Sequence, residues 1–329
     1  MTSPDPLTPE REAKVREGLM ATYFRGTWAE RSDTEQAQKD IHDHVRGRYD
    51  LCRKWLLPWV EKLIDLKNTD VVEIGCGTGS TTAALAVEAR SVDAYDIAGV
   101  SVEAAIRRIE AFGLRNTRLN QHAPERLLSA MSSAHPPNTV GMVLCFAVLE
   151  HAKHTERLDT IRHIWEMLAP GGILVIGDTP NRLSYWDHHT TWMPFYNSLP
   201  HELALDYADR SPRKHFVDHI TAAKQQSQGA AEEALARWGR GVSHHEFELV
   251  LGDLGPLVVG DGFDPEPLAF FGVTLETRML YSYAKLKGLT VPPAFLRSSI
   301  EVILRKPGGK VAMEQRPRDL DKIVRPFAL

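Results

Sequence analysis

Along the first seventy residues a polar stretch gives way to a periodic one. Tyr49, Leu51, Cys52, Trp55, Leu56, Trp59, Val60, Leu63, Ile64 and Leu66 recur at the spacing of a helix face, which predicts an N-terminal helical segment over 1–69. From Asp70 the pattern changes. Asp70-Val71-Val72-Glu73-Ile74 is a short apolar run ended by Gly75-Cys76-Gly77-Thr78-Gly79-Ser80, and residues 81–86 form a good helix-forming stretch. That reads as strand, glycine turn, helix. The alternation continues with strands expected over 91–96, 117–120 and 139–147, and helices over 102–112 and 155–168. A turn at Pro170-Gly171-Gly172 then leads to a fifth strand over 173–177. Strands alternating with helices at this pitch predict an α/β fold with a doubly wound, mostly parallel sheet.

After Asp178 the regularity stops. Residues 179–242 are too aromatic for a solvated linker and too irregular for another strand and helix pair, so 182–242 is expected to be a lid or substrate insertion following a core over 70–181. Alternation returns with a helix over 243–251, a strand over 257–261, a helix over 275–287 and a last strand over 298–306. This brings the expected sheet to seven strands, with 243–306 as the C-terminal part of the core. Residues 307–329, with Pro307, Gly308, Gly309, Pro317 and Pro326, read as a tail.

Composition narrows the function. The 329 residues are 43% hydrophobic and 25% charged, an ordinary globular balance. Thirty-nine Lys and Arg against 43 Asp and Glu give a formal net charge of -4. Without a basic block, a nucleic-acid partner is not expected. No apolar run approaches the roughly 18 residues of a membrane span, and Met1–Pro6 lacks a basic region followed by an apolar one. Three scattered cysteines, Cys52, Cys76 and Cys145, form neither a disulfide framework nor a Cys-based zinc site. A cytoplasmic protein is expected.

The glycine loop carries the chemistry. A chain that leaves a strand and enters a helix through Gly75-Cys76-Gly77-Thr78-Gly79 must turn sharply and approach a ligand closely, which residues without a side chain allow. A dinucleotide fingerprint would place its third glycine at Ser80. The spacing here is instead G-x-G-x-G, with Glu73 two residues before the first glycine. This resembles motif I of the class I S-adenosylmethionine (SAM)-dependent methyltransferases. The resemblance extends through Asp96, 23 positions after Glu73, Phe146-Ala147-Val148-Leu149-Glu150-His151 and Leu168-Ala169-Pro170-Gly171-Gly172, and so covers residues 70–180. It implies SAM as cofactor and S-adenosylhomocysteine as product, with Glu73 anchoring the methionine amino group beside Gly75, Gly77 and Gly79. It implies Asp96 on the ribose hydroxyls, with Ile97, Cys145 and Phe146 lining the cofactor. One departure stands out: Gln121-His122-Ala123 replaces the acid that usually meets the adenine amine. Adenine recognition is expected from the Gln121 side chain or from backbone around His122 and Ala123. Thr179–Leu183, Asp187–Thr190 and residues 241–248 further resemble a branch associated with glycans or sugar-containing products.

Methyl transfer to a hydroxyl needs the acceptor opposite the sulfonium and a base for its proton. Residues just after the fourth and fifth strands, Glu150, His151, Asp178 and Asn181, are well placed for this. So are His188 and His189 of the insertion, with Asp187 as an orienting acid. A lid histidine is the preferred base and His151 the second, while supporting roles are the alternative for each. A divalent ion could align an acceptor hydroxyl, but no ligand spacing singles out a site, and no metal is assigned. Trp186, Trp192, Phe195 and Tyr196 either stack a sugar or form the core of the insertion. His244 and His245, adjacent on a helix, point apart. Arg48 and Tyr49 either fold over the cofactor carboxylate or leave the arginine exposed. The expected function is O-methylation of a small-molecule or glycan hydroxyl, with a homodimer as an option. A nicotinamide-dependent oxidoreductase and a non-catalytic SAM-binding protein are the alternatives.

Overall fold

A computed structural model describes residues 6–25, 34–308 and 318–327. Parts of the expected N-terminal segment and tail, residues 1–5, 26–33, 309–317 and 328–329, lie outside the described residues. Seven strands, β1 (Asp70–Ile74), β2 (Ser91–Asp96), β3 (Thr117–Gln121), β4 (Val140–Phe146), β5 (Leu168–Pro180), β6 (Val258–Asp261) and β7 (Ser299–Arg305), form one sheet in the order β3-β2-β1-β4-β5-β7-β6. β2 runs parallel to β1 and β3, whereas β7 pairs antiparallel with both β5 and β6. The sheet is therefore mixed at one side. No helix among the described residues is long and apolar enough to cross a membrane.

The chain divides into two compact units, Met1–Leu144 with Met167–Gly172, and Cys145–Glu166 with Ile173–Leu329. In the first unit, the helix Pro9–Ala21 starts at Thr8, whose hydroxyl accepts the Arg11 N–H. A second helical run begins at Glu35 and reaches Glu61, widening into π turns at Asp43–Gly47 and Cys52–Leu56. The periodic apolar residues fall on its inner face: Tyr49, Cys52, Trp55, Leu56, Trp59 and Val60 are all buried. Arg48, by contrast, is exposed and paired with Asp43 at 3.0 Å. Pro170-Gly171-Gly172, expected as a turn, opens β5 instead. A Cβ on Gly172 would lie 3.0 Å from the carbonyl oxygens of Val140 and Gly141, so the strand can pass there only as glycine.

Fully buried Arg108, on the helix Gly99–Phe112, ties this unit together. Its Nε donates to the Thr78 carbonyl at 2.8 Å, Nη1 to Val45 O at 3.0 Å, and Nη2 to His44 O. Burial, with Arg48 adding, pulls its pKa down to about 9.

The second unit holds what the apolar pattern leaves irregular. The insertion contains the helices His201–Tyr207, Lys214–Gln226 and Gln228–Trp238, packed around Tyr196, Leu205, Phe216, Ile220 and Leu235. It closes at its own base. Arg182 N donates to Val242 O at 2.9 Å and Val242 N to Pro180 O at 2.8 Å. Beside them the buried Asn181 amide donates to the carbonyls of Phe295 and Arg297 at 2.6 and 2.7 Å. Asn181, weighed as a substrate residue, is thus committed to backbone.

Replacing Arg108 by methionine keeps the volume but removes the donor from the carbonyls of Thr78, Val45 and His44, the last of which keeps the Ser80 hydroxyl, and should cost about 2 to 4 kcal/mol. Urea unfolding of Arg108→Met reads this, and a loss below about 1 kcal/mol would show that the tie carries little.

Candidate functional site

Two constellations emerge, one in each unit. In the first, Gly75, Gly77 and Gly79 have φ of 75°, 51° and 75°, a left-handed region that favours glycine. A Cβ on Gly79 would come within 2.9 Å of Ala105. The N–H groups of Gly75 and Cys76 donate to Tyr95 O at 2.7 and 3.0 Å. One oxygen of Asp96 accepts the Gly77 N–H and the other the Ala98 N–H, each at 2.8 Å. The carboxylate thereby fixes the loop after β1 against the end of β2. Gln121 donates to Ile97 O at 3.3 Å, His122 N donates to Asp96 O at 3.2 Å, and the His122 ring stacks on Tyr95. Ala123 caps the helix Pro124–Ala134, and Ile97 is partly exposed.

Glu73 is 2% exposed and accepts the Thr82 hydroxyl at 2.5 Å. Burial pushes its pKa up to about 7 despite that bond, and Asp96 adds to the rise. Cys76 is a buried packing residue, its thiol held well above the ordinary range by burial. Near the loop lies His44, which no motif marks; its Nδ1 is 3.2 Å from the Thr78 hydroxyl and its ring sits against Tyr23 and Phe24.

In the second unit Cys145 is buried, Phe146 is half-buried, and at the ends of β4 and β5 two residues without glycine's freedom, Ala147 (53°) and Asp178 (50°), take positive φ. Asp178 lies where the β5–β7 register shifts, and it is exposed. The turn Leu149–His151 follows β4. There Glu150 is fully buried; its carboxylate oxygens make no hydrogen bond of good geometry, and its own backbone N–H and the Thr179 hydroxyl offset only part of the effect of burial. Burial first, then Asp178, raises its pKa to about 8.

The structure brings His151 and His189 to Glu150 and leaves His188 exposed beside Trp186. Burial lowers the pKa of both clustered imidazoles, that of His189 to about 4. Asp187 does not orient an imidazole. Its oxygens accept the N–H groups of His189, Thr190 and Thr191 and the Thr191 hydroxyl at 2.7 to 3.2 Å, shaping the loop that carries His189. Arg213 pins this loop further, donating to the carbonyls of His189 and Thr190 between the rings of Trp192 and Trp238. Of the insertion's aromatics, Tyr196 is core, while Trp186, Trp192 and Phe195 remain exposed. The rings of His244 and His245, expected to diverge, lie 3.8 Å apart.

A family model spans the residues of the first constellation. The methyltransferase domain family matches residues 72–174, under a third of the chain. A tRNA/tmRNA (uracil-C(5))-methyltransferase of Azotobacter vinelandii is 34% identical over 86 residues, 26% of this chain and 24% of that protein. A ubiquinone biosynthesis O-methyltransferase of Psychrobacter arcticus is 29% identical over 117 residues, 36% of this chain and 43% of that protein. The chain thus spans about a quarter of the first relative's length and under half of the second's. Among solved structures, the N-methyltransferase NodS of Bradyrhizobium japonicum is 19% identical with a TM-score of 0.33, covering 51% of this chain and 72% of that one.

Glu73 yields a pH prediction. Its folded pKa of about 7 lies above the ordinary 4.5, so the folded state holds the proton more tightly. The associated stability is full below pH 4.5 and lost as pH rises through about 7, on the order of 3 kcal/mol in the limit. Glu73→Gln, which keeps a neutral side chain, should therefore gain stability over the wild type between pH 5 and 8. Thermal melts across that range check it, and a difference independent of pH would contradict the burial argument.

Proposed function

We propose that the protein is a SAM-dependent methyltransferase that methylates a hydroxyl of a sugar or other small molecule. The observation that carries this reading is the left-handed loop Gly75–Gly79 with Asp96 bound to the Gly77 and Ala98 N–H groups, within the matched methyltransferase domain. Each Asp96 oxygen uses one lone pair on backbone and keeps another for a ribose hydroxyl. Glu73, buried without a cation, suits the ammonium of the methionine moiety. In the reaction the acceptor oxygen forms a bond to the methyl carbon as the carbon–sulfur bond breaks. Sulfur keeps the electron pair, giving S-adenosylhomocysteine, and the hydroxyl proton passes to a base. Glu150, His151 and His189 supply groups of the kind that can accept that proton.

Oxygen is favoured over carbon as the acceptor atom. A neutral ring carbon needs covalent activation by a nucleophile such as a thiolate. Cys52, Cys76 and Cys145 are all buried, and burial raises the thiols of Cys52 and Cys76. The likeness to a ubiquinone biosynthesis O-methyltransferase points the same way, and that to tRNA enzymes the other. Against a nicotinamide cofactor stands Ser80, which occupies the third glycine position and donates to His44 O at 3.2 Å.

Asp96→Ala should weaken SAM binding by about tenfold or more in calorimetry, because the ribose loses a charge-assisted partner worth roughly 1.5 to 3 kcal/mol. Unchanged affinity, or clear NADH binding by the wild type, would refute the cofactor assignment. Incubation with methyl-labelled SAM and a panel of sugars, phenols and RNA tests the acceptor. Label on RNA alone would overturn the small-molecule reading, and cofactor binding without transfer to any acceptor would favour a non-catalytic SAM-binding protein.

A further inference from the structure

Glu150, His151 and His189 present three ligand atoms within 4.8 Å of one another, and the bonds around them fix which atoms carry lone pairs. The Nδ1 of His151 lies 2.8 Å from the carbonyl oxygen of Arg237, which can only accept, so Nδ1 holds the proton and, in the neutral ring, Nε2 the lone pair. The Thr190 hydroxyl has only carbonyls to donate to, Gly239 O at 2.7 Å and Trp238 O at 3.1 Å. It therefore accepts from His189 Nδ1 at 3.0 Å, and His189 Nε2 is also unprotonated. Both Nε2 atoms face one oxygen of Glu150, at 3.8 and 3.9 Å. Those distances are too long for a proton to be shared between them. Two nitrogen lone pairs and a buried carboxylate without a Lys or Arg partner thus converge on one point.

We propose that Glu150, His151 and His189 bind a divalent transition-metal ion. Two imidazoles and a carboxylate suit zinc, cobalt or iron(II) rather than magnesium or calcium. Bonds of about 2.0 to 2.1 Å in a tetrahedral site place ligand atoms about 3.4 Å apart, so each imidazole needs to close on Glu150 by about half an ångström. Three ligands leave a coordination position for water or a substrate oxygen. Each imidazole already makes the outer hydrogen bond that fixes a ligating histidine. Their supports sit at the carbonyl end of the helix Gln228–Trp238, whose dipole favours a cation. Gly239 (φ 104°) makes the approach sterically feasible, because a Cβ there would lie 2.8 Å from the His189 ring and 3.4 Å from that of His151.

The inference does not depend on the proposed methyl transfer. Full-length protein stripped with a chelator is titrated with Co2+, followed by its visible absorption, and with Zn2+ by competition. One equivalent should bind, and Glu150→Gln, His151→Ala and His189→Ala should each weaken binding at least tenfold. His151 is partly exposed, so its variant decides the matter if the other two fail to fold. Thr190→Val, which touches no ligand atom, should weaken binding by about 10 to 100-fold. Absence of a stoichiometric site, or equal binding by wild type and His151→Ala, would overturn the proposal. Loss of SAM binding with the metal site intact would count against the proposed function alone.

Discussion

The first unit depends on one buried cation. Arg108 has no carboxylate partner and spreads its charge over three carbonyl oxygens, one from the glycine loop and two from the turn at His44 and Val45. A guanidinium is suited to this because its donors lie in a rigid plane and reach several acceptors at once. The loop is otherwise a run of glycines in left-handed conformations, costly in entropy to order. Arg108 holds its Thr78 end to the N-terminal helical run and Asp96 holds its Gly77 end to β2, so the loop is shaped before any ligand arrives. A preformed loop spares a ligand that ordering cost.

The second unit solves a similar problem with backbone. Residues 237–241 are bonded to the turn after β4 at several points. Arg240 N donates to Glu150 O, Arg237 donates to His151 O, and His151 Nδ1 returns a bond to Arg237 O. Arg157, buried and paired with Glu246, adds donors to the carbonyls of Arg240 and Gly241. Glu150 and His151 are consequently held by a segment nearly ninety residues away in sequence. That arrangement explains why the insertion has its own core and closes on itself at Arg182 and Val242: both ends of the supporting segment are anchored.

Much of the fold is legible because it obeys period. β1 and β2 and the helix Leu275–Lys287 have the expected bounds, since apolar runs and glycine stops bracket them. The antiparallel setting of β7 is not written in any run of residues, because direction depends on how the chain returns. The three insertion helices escape notice because their core is built largely from alanines such as Ala204, Ala208, Ala223 and Ala231, which contribute little to an apolar pattern. At the candidate site, Glu73, Asp96, His151 and His189 are visible as residue types in motifs. What Asp187 and Asn181 do is not visible, since an acid that organises a turn and an acid that orients a base look alike in sequence. His44 and Arg108 have no motif, and their contacts join positions thirty or more residues apart.

Buried acids supply the last distinction. Asp93 is paired with Arg118, Glu246 with Arg157, Asp261 with Arg318 and Glu301 with Arg297, while Asp187 is satisfied by backbone N–H groups. Charge buried in this way is compensated within the fold. Glu73 and Glu150 differ. Neither has a Lys or Arg ion-pair partner, and burial raises the pKa of both, as it does for the arginine-paired Glu301. An uncompensated buried carboxylate costs stability that packing could have avoided with a glutamine or leucine. A cation arriving from outside, an ammonium at Glu73 and a metal ion at Glu150, would convert that cost into binding energy, which is the physical reason for reading both positions as sites rather than as parts of the core.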